Sequence, residues 1–139
     1  MSRGFWFLFC GVLLTALLAG CGERSYRDGV YSGKSGADDT GAWGEVTITI
    51  AGARITDCRF ITRQKDGTVK GKDYGKVNGE ISSQDYYDKA QLAVRAMDQY
   101  ARDLTEKQRL KDIDTVSGAT IAYNQFTEAV ENALETARE

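Results

Sequence analysis

The sequence predicts a small α+β domain, in which an antiparallel sheet carries helices on one face. Two observations support this class: the strand-like segments all precede the helix-like segments, and each long helical segment has a single apolar stripe. The chain of 139 residues is 42% hydrophobic and 27% charged, with a mean hydropathy of -0.41. This composition is typical of one globular domain with a modest core, and it excludes a disordered or fibrous chain.

Three strands are expected between residues 28 and 63. In order, we predict a strand at residues 28–33, a loop at 35–44, a strand at 45–50, a turn at 51–53 and a strand at 54–63. The middle strand alternates with period two and places Val46, Ile48 and Ile50 on one buried face. Residues 66–79 combine glycines with many basic side chains, which indicates an exposed loop.

Two helices follow the strands. Ser82 or Ser83 is expected to cap the first helix, with Asp85 in its first turn. The apolar stripe of this helix consists of Tyr86, Ala90, Ala93, Met97, Tyr100, Ala101 and Leu104. The second helix runs from near Ile121 to Ala137, and its stripe consists of Ala122, Phe126, Ala129, Val130, Ala133, Leu134 and Ala137. We interpret the aromatic members of the first stripe as core residues rather than as a platform for a cofactor.

The composition excludes several kinds of catalytic site and argues against a nucleic-acid partner. The chain contains no His, so a Ser-His-Asp triad, a Cys-His pair and a HExxH zinc site are excluded, because each needs an imidazole. Basic residues exceed acidic ones between residues 54 and 76, and acidic residues predominate from Glu80 onward. Neither block is long or pure enough to indicate a nucleic-acid partner.

The N-terminal segment is typical of an export signal. Residues 4–20 carry no charge and follow a single basic residue, Arg3. This length is marginal for a membrane span and typical of a signal peptide. The segment ends in Leu18-Ala19-Gly20-Cys21, which resembles the bacterial lipobox. The alternative is a transmembrane anchor with an incidental cysteine.

The lipobox resemblance implies a lipid-anchored protein. We expect residues 1–20 to be removed, Cys21 to carry acyl chains such as palmitate, and residues 21–27 to form a polar tether. The acyl chains would hold residues 28–139 on the extracytoplasmic face of the cell membrane. Cys10 then leaves with the signal peptide, so Cys58 is the one thiol of the mature domain. Because Cys58 shares a strand face with Phe60, we predict a buried thiol rather than a reactive one.

The segment whose residues most clearly indicate a chemical function lies between the helices. We call this segment, residues 114–120, the motif. It reads Asp114-Thr115-Val116-Ser117-Gly118-Ala119-Thr120. Gly118 permits a tight turn, and Thr120 falls at a helix start, where backbone N–H groups and the helix dipole stabilise a phosphate. From the residues alone, ordinary helix capping by Ser117 or Thr120 is the favoured interpretation.

The motif resembles the D-x-x-S/T-G-A-T signature of the FMN-binding domain family. This domain occurs in one component of the sodium-translocating NADH:quinone oxidoreductase and in small flavinylated lipoproteins. Residues 28–33 are similar to the family's D-G-x-Y-x-G strand, and the hairpin and closing helix are also similar, so the resemblance covers residues 28–134. The family's frequent T-P-G segment has no counterpart, since the chain contains no Pro.

The resemblance implies that Thr120 carries FMN through a phosphodiester bond, within a binding segment that also includes Ser117, Gly118 and Ala119. A separate flavin transferase would hold Mg²⁺ and FAD, and would recognise Asp114 and Gly118. The Thr120 hydroxyl would attack the phosphorus nearer the flavin, and AMP would leave. The flavin ring needs an apolar wall, for which the candidates are Trp43, Tyr31 and Tyr74.

Two functions from different classes follow. The first is a membrane-anchored extracytoplasmic flavoprotein that shuttles electrons between membrane or extracytoplasmic redox proteins, and that is a substrate of the transferase rather than a catalyst. The alternative is a flavin-free surface lipoprotein that acts as a binding module. The adjacent carboxylates Asp38 and Asp39 lie in a loop, where they are solvated or form a weak cation site.

Overall fold

A computed structural model describes residues 25–138 as a three-stranded sheet with two long helices. The elements are β1 (Gly29–Lys34), β2 (Trp43–Ala51), β3 (Arg54–Arg63), α1 (Gln84–Lys107), a short 3₁₀ helix (Leu110–Asp112) and α2 (Thr120–Ala137). The α+β class is therefore confirmed. The predicted signal peptide, Cys21 and the start of the tether lie outside the described residues. Within residues 25–138, no helix is both long and apolar enough to cross a membrane.

The sheet has the strand order β1-β2-β3, and both neighbouring pairs are antiparallel. Along β2 the predicted alternation is confirmed, because Val46, Ile48 and Ile50 are buried on the inner face. Both helices pack on this inner face, with α2 over β1 and β2, and α1 over β3. The outer face carries the other β2 side chains, among them Trp43 and Glu45.

A bulge in the hairpin changes the register of β3. Thr49 pairs with Asp57, whereas the next residue, Ile50, pairs with Ile55, so Thr56 is the extra residue. The bulge reverses the alternation at this point. As a result both Ile55 and Phe60 point into the core, although they are an odd number of residues apart.

Helix α1 begins at the predicted cap. The side chain of Ser83 accepts a hydrogen bond from the backbone N–H of Tyr86 at 3.3 Å. Most of the predicted stripe is buried, but the prediction for Tyr86 is wrong, since its side chain is 55% exposed. The first turn of α1 lies against the loop after β3 instead of over the sheet, and the Tyr87 hydroxyl there donates to the carbonyl of Lys72 at 3.0 Å.

Helix α2 confirms its predicted apolar stripe, because all seven residues are buried. The ring of Phe126 lies 5.1 Å from that of Phe60 in an edge contact, and it stacks at 5.7 Å on that of Tyr100. These aromatic side chains form the contact between the sheet and both helices. The interpretation of the aromatic stripe residues as core is thus confirmed for Tyr100 and wrong for Tyr86.

The loop that follows β3 is attached to α1. The side-chain amide of Gln91 donates to the carbonyl groups of Gly71 at 3.1 Å and Tyr74 at 2.9 Å. Gly75 is buried with a φ of 95°, and a Cβ on it would lie 2.7 Å from the Cβ of Ala90. The loop therefore lies next to the half of α1 that also contacts the motif.

Candidate functional site

The motif forms a tight turn that leads directly into α2. The N–H of Ala119 donates to the carbonyl of Val116 at 3.0 Å, and Gly118 has a φ of 83° at the third position of the turn. A Cβ on Gly118 would lie 3.0 Å from Cδ2 of Leu92 on α1. The predicted role of Gly118 in a tight turn is confirmed, since both its backbone conformation and its packing favour glycine.

The first turn of α2 has no side-chain cap. The N-cap residue is Ala119, no side chain accepts a hydrogen bond there, and the first turn contains no acidic residue. The alternative interpretation of Ser117 or Thr120 as a helix cap is therefore wrong. Both side chains are exposed. The N–H groups at this helix start thus remain open to an anion.

The motif presents its polar side chains on the surface and buries its small one. Asp114, Ser117 and Thr120 are exposed, as is Gly118, whereas Ala119 is only 3% exposed. The turn brings Ser117 and Thr120 to the same end of α2. The burial of Ala119 gives a physical reason for a small residue between Gly118 and Thr120.

Two tyrosine hydroxyls hold the motif against the core. The hydroxyl of Tyr100 accepts from the N–H of Val116 at 2.9 Å and lies 3.3 Å from the carbonyl oxygen of Ala119, to which it donates. The hydroxyl of Tyr123 donates to the carbonyl of Ile113 at 3.1 Å. Burial raises the pKa of Tyr100, so the hydroxyl keeps the proton that it donates. From the sequence, Tyr100 is predicted only to be buried. A buried tyrosine hydroxyl needs a hydrogen-bond partner, and this requirement is the signal that could have indicated its contact with the motif.

The structure separates the three candidates for the flavin wall. The indole N–H of Trp43 donates to Glu45 at 2.9 Å on the outer face of the sheet. Its neighbour Ala42 accepts from the side chain of Gln125 in the second turn of α2, so the expectation for Trp43 stays a prediction. The hydroxyl of Tyr31 donates to the carbonyl of Arg27, whose N–H donates to Ala137 at the C-terminal end of α2. Because Tyr31 lies at the opposite end of α2 from Thr120, the expectation for Tyr31 is wrong.

Tyr74 is the candidate on the motif's side. Its carbonyl accepts from Gln91, and the next residue on α1, Leu92, lies against Gly118. The ammonium of Lys70 lies 5.0 Å from the centroid of the Tyr74 ring. Desolvation lowers the pKa of Lys70, and the charge of Asp38 opposes this shift. Ile121, directly after Thr120, is 62% exposed, so apolar surface adjoins Thr120.

A groove of about 790 Å³ lies along α2 on the side of the 3₁₀ helix. Its lining includes Tyr123, which follows Thr120 by one turn of the helix, and Arg54, Arg109 and Arg138. Arg54, Arg109 and Arg138 give this groove positive charge, and Tyr123 is the lining residue nearest to Thr120 along the chain. No sequence pattern indicates the groove, because its lining comes from four separate segments.

Asp38 has a structural role in its loop. Its carboxylate accepts from the N–H groups of Thr40 at 2.9 Å and Ala42 at 3.0 Å, and from the side chain of Gln125 at 3.2 Å. These bonds tie the loop before β2 to α2. In the part of the chain from residue 25 to 138, no group of three or more His, Cys, Asp or Glu side chains could hold a metal ion.

Comparison with known proteins agrees with the motif and the fold. A crystal structure of a Clostridium perfringens protein has a TM-score of 0.63 and 26% identity, and covers 81% of this chain and 88% of that one. A solution structure of a Clostridium thermocellum protein has a TM-score of 0.47 and 25% identity, and covers 81% and 93%. No curated protein matches. The FMN-binding domain model matches residues 41–135, more than half of the chain and including the motif. The chain is therefore a flavin-binding protein that belongs to the FMN-binding domain family.

Proposed function

We propose that the protein is a membrane-anchored, extracytoplasmic electron carrier that holds FMN covalently on Thr120. One observation carries this proposal. The Thr120 hydroxyl is exposed at the uncapped first residue of α2, in a chain that belongs to a flavin-binding family. Bound FMN supplies the redox chemistry, and the domain attaches, orients and shields it.

The helix start suits a phosphodiester. Attachment at the Thr120 oxygen would leave one negative charge on the phosphate, beside the open N–H groups of the first turn. The first turn of α2 contains no carboxylate that would repel this charge. The helix dipole adds a favourable contribution of about 0.3–1 kcal/mol at an exposed site.

Thr120 acts as the acceptor in the attachment step. Its oxygen forms a bond to the phosphorus nearer the flavin of FAD, the bond from that phosphorus to the AMP oxygen breaks, and the hydroxyl proton passes to a base. A threonine hydroxyl is a weak nucleophile without such a base. Because this chain contains no His, we assign the base and the Mg²⁺ to a separate flavin transferase. The exposed Asp114 and Gly118 are the features that it would recognise.

We assign the flavin ring to the pair of Tyr74 and Lys70 and to the exposed Ile121 beside Thr120. These residues supply an aromatic ring, a half-buried ammonium and an exposed apolar side chain. Tyr74→Ala is expected to change the visible spectrum and fluorescence of the attached flavin. Arg109→Ala, in the groove along α2, is the matched comparison. A response to Arg109→Ala alone would assign the ring to the groove.

The partners follow from the proposed location. The lipid on Cys21 would hold the carrier at a membrane, where membrane or extracytoplasmic redox proteins can donate and accept its electrons. The protein itself would be the substrate of one enzyme and the shuttle between others. In this role no catalytic residue is needed in the chain beyond the acceptor hydroxyl.

The decisive experiment is the intact mass of the protein after expression with an active flavin transferase. The wild type is expected to gain the mass of FMN less one water, on a peptide that spans residues 112–126. Thr120→Ala is expected to abolish the gain and Thr120→Ser to retain part of it, and Thr136→Ala, which removes an exposed hydroxyl in the last turn of α2, is the matched control. Absence of flavin from the wild type would leave a flavin-free binding module as the function.

A further inference from the structure

We propose that Tyr100 is a positioning residue for the modification of Thr120, because its hydroxyl sets the shape of the turn that precedes this threonine. The proposal rests on the proposed function, since it concerns how the same site is prepared for the transferase. Tyr100 lies on α1, is fully buried and belongs to a different helix from Thr120. Its connection to the site is visible only in the folded chain.

One hydroxyl group connects both ends of the turn to the core. Val116 and Ala119 are the first and last residues of the turn, and the N–H of Ala119 donates to Val116. The Tyr100 hydroxyl accepts from the N–H of Val116 and donates to the carbonyl of Ala119. A phenol has one proton to donate. Both bonds together therefore fix the direction of this hydroxyl.

The position of the hydroxyl is fixed by the packing of its ring. The ring of Tyr100 stacks on Phe126 at 5.7 Å and meets the edge of Tyr123 at 5.4 Å. Close-packed aromatic rings have little freedom to move. The turn therefore takes its position from the core rather than from its own exposed residues.

The conformation of this turn also sets the direction of the Thr120 hydroxyl. Ala119 is the N-cap of α2, and its carbonyl accepts from the N–H of Tyr123 at 3.0 Å as well as from Tyr100. The next residue is Thr120. A displacement of this carbonyl rotates the first helical residue, and with it the hydroxyl that must approach phosphorus. Misplacement of a reacting group by about 1 Å can lower a rate by about a hundredfold.

Tyr100→Phe tests the proposal directly, because it keeps the ring and removes only the hydroxyl. Purified transferase, FAD and Mg²⁺ are mixed with the full protein, and flavin attachment is followed by intact mass. We expect the rate at saturating acceptor to fall by about tenfold or more, with little change in the KM for the acceptor. The exposed side chains Asp114 and Ser117 that the transferase meets are unchanged.

Two controls separate positioning from general stability. Tyr31→Phe removes a hydroxyl that bonds to Arg27 at the other end of α2, and it is expected to react at the wild-type rate. Ile48→Val removes one methylene group from the buried face of β2 and weakens the fold without touching the turn. It too is expected to react at the wild-type rate at a temperature where every variant is folded.

The outcomes distinguish a failure of the proposed function from a failure of the positioning role of Tyr100. If the wild type gains no flavin, the proposed function fails. If the wild type is modified and Tyr100→Phe matches its rate, while amide exchange at Val116 is accelerated, the positioning role is wrong. Should Tyr100→Phe fail to fold, replacement of the Val116 amide by an ester removes the same hydrogen bond and leaves Tyr100 intact. A wild-type rate in the ester protein would then overturn the proposal.

Discussion

Gly33 on β1 lies directly beneath Ala129 on α2, with no space between the two backbones for a side chain. A Cβ on Gly33 would overlap the carbonyl oxygen of Ala129 and would lie 2.6 Å from the backbone nitrogen of Ala133. Ala129 and Ala133 are both fully buried. Small residues on both elements therefore set how closely α2 approaches the sheet.

Gly33→Ala is expected to lower the free energy of unfolding, because α2 must move away from β1. Overpacking of this kind costs about 1–3 kcal/mol. Urea denaturation measures the change. Gly36→Ala is the matched control, since a Cβ there would meet only the Glu128 side chain at 3.6 Å, and its effect should stay within about 0.5 kcal/mol. Equal losses in both variants would contradict the close approach.

Glu45 makes stability depend on pH. Hydrogen bonds from Trp43, then Arg63 and Lys34, lower its pKa from 4.5 to about 2. A carboxyl whose pKa is lower in the folded state stabilises the fold above 4.5, and this contribution is lost as the pH falls toward 2. The carboxylate is 21% exposed and Lys34 is 70% exposed, so solvent limits the contribution to about 1 kcal/mol.

Glu45→Gln is therefore expected to be less stable than the wild type at neutral pH and equally stable near pH 2. Urea denaturation across this range measures the difference. Trp43→Phe removes the indole donor and should abolish part of the same pH dependence. A difference between Glu45→Gln and wild type that stays constant with pH would show that Glu45 acts through packing instead.

Cys58 is expected to be unreactive in the folded protein. Burial, followed by the charge of Asp57, raises its pKa to about 12. Because the thiolate is the reactive form, alkylation at mildly alkaline pH should be at least about a hundredfold slower than in denaturant. Mass analysis of the peptide that contains Cys58 measures both rates. Similar alkylation rates in the folded protein and in denaturant would contradict this prediction and would support a redox role for the Cys58 thiol.

Cys21→Ala tests the proposed lipid anchor. The variant is expected to leave the detergent phase in a phase-separation assay, because it lacks the thiol that would carry acyl chains. The fold should be unaffected, since position 21 precedes residues 25–138, which contain every strand and helix described. Cys58→Ala is the matched control and should stay in the detergent phase. Retention of Cys21→Ala in that phase would contradict lipidation.

Much of the fold can be predicted from local patterns. The alternation of β2 and the apolar stripe of α2 are sufficient to predict which face of each element is buried, because that face is buried along the whole length of the element. The prediction for Tyr86 fails, since a stripe does not show where the sheet beneath a helix ends. The burial of Ile55 depends on the bulge beside Ile50, which a pairing of two strands reveals and a single strand does not.

The site is only partly predictable. The start of α2 and the turn at Gly118 follow from local sequence. The absence of a cap at Thr120 depends on where the neighbouring side chains point, and the role of Tyr100 depends on a contact between two helices. Tyr31 fails as a flavin-wall candidate because residue type does not indicate which end of a neighbouring helix a ring lies against.

The N-terminal residues of the described domain attach at the opposite end of α2 from Thr120. Tyr26 pairs with Arg138, and Arg27 bonds to Ala137, whereas Thr120 begins this helix of 18 residues, which is about 27 Å long. A load applied through the proposed tether would therefore be borne by the last turn of α2 and by β1, and the turn from Val116 to Ala119 would carry none of it. Replacement of the proposed tether by one of different length or composition is consequently expected to leave the geometry of Thr120 unchanged.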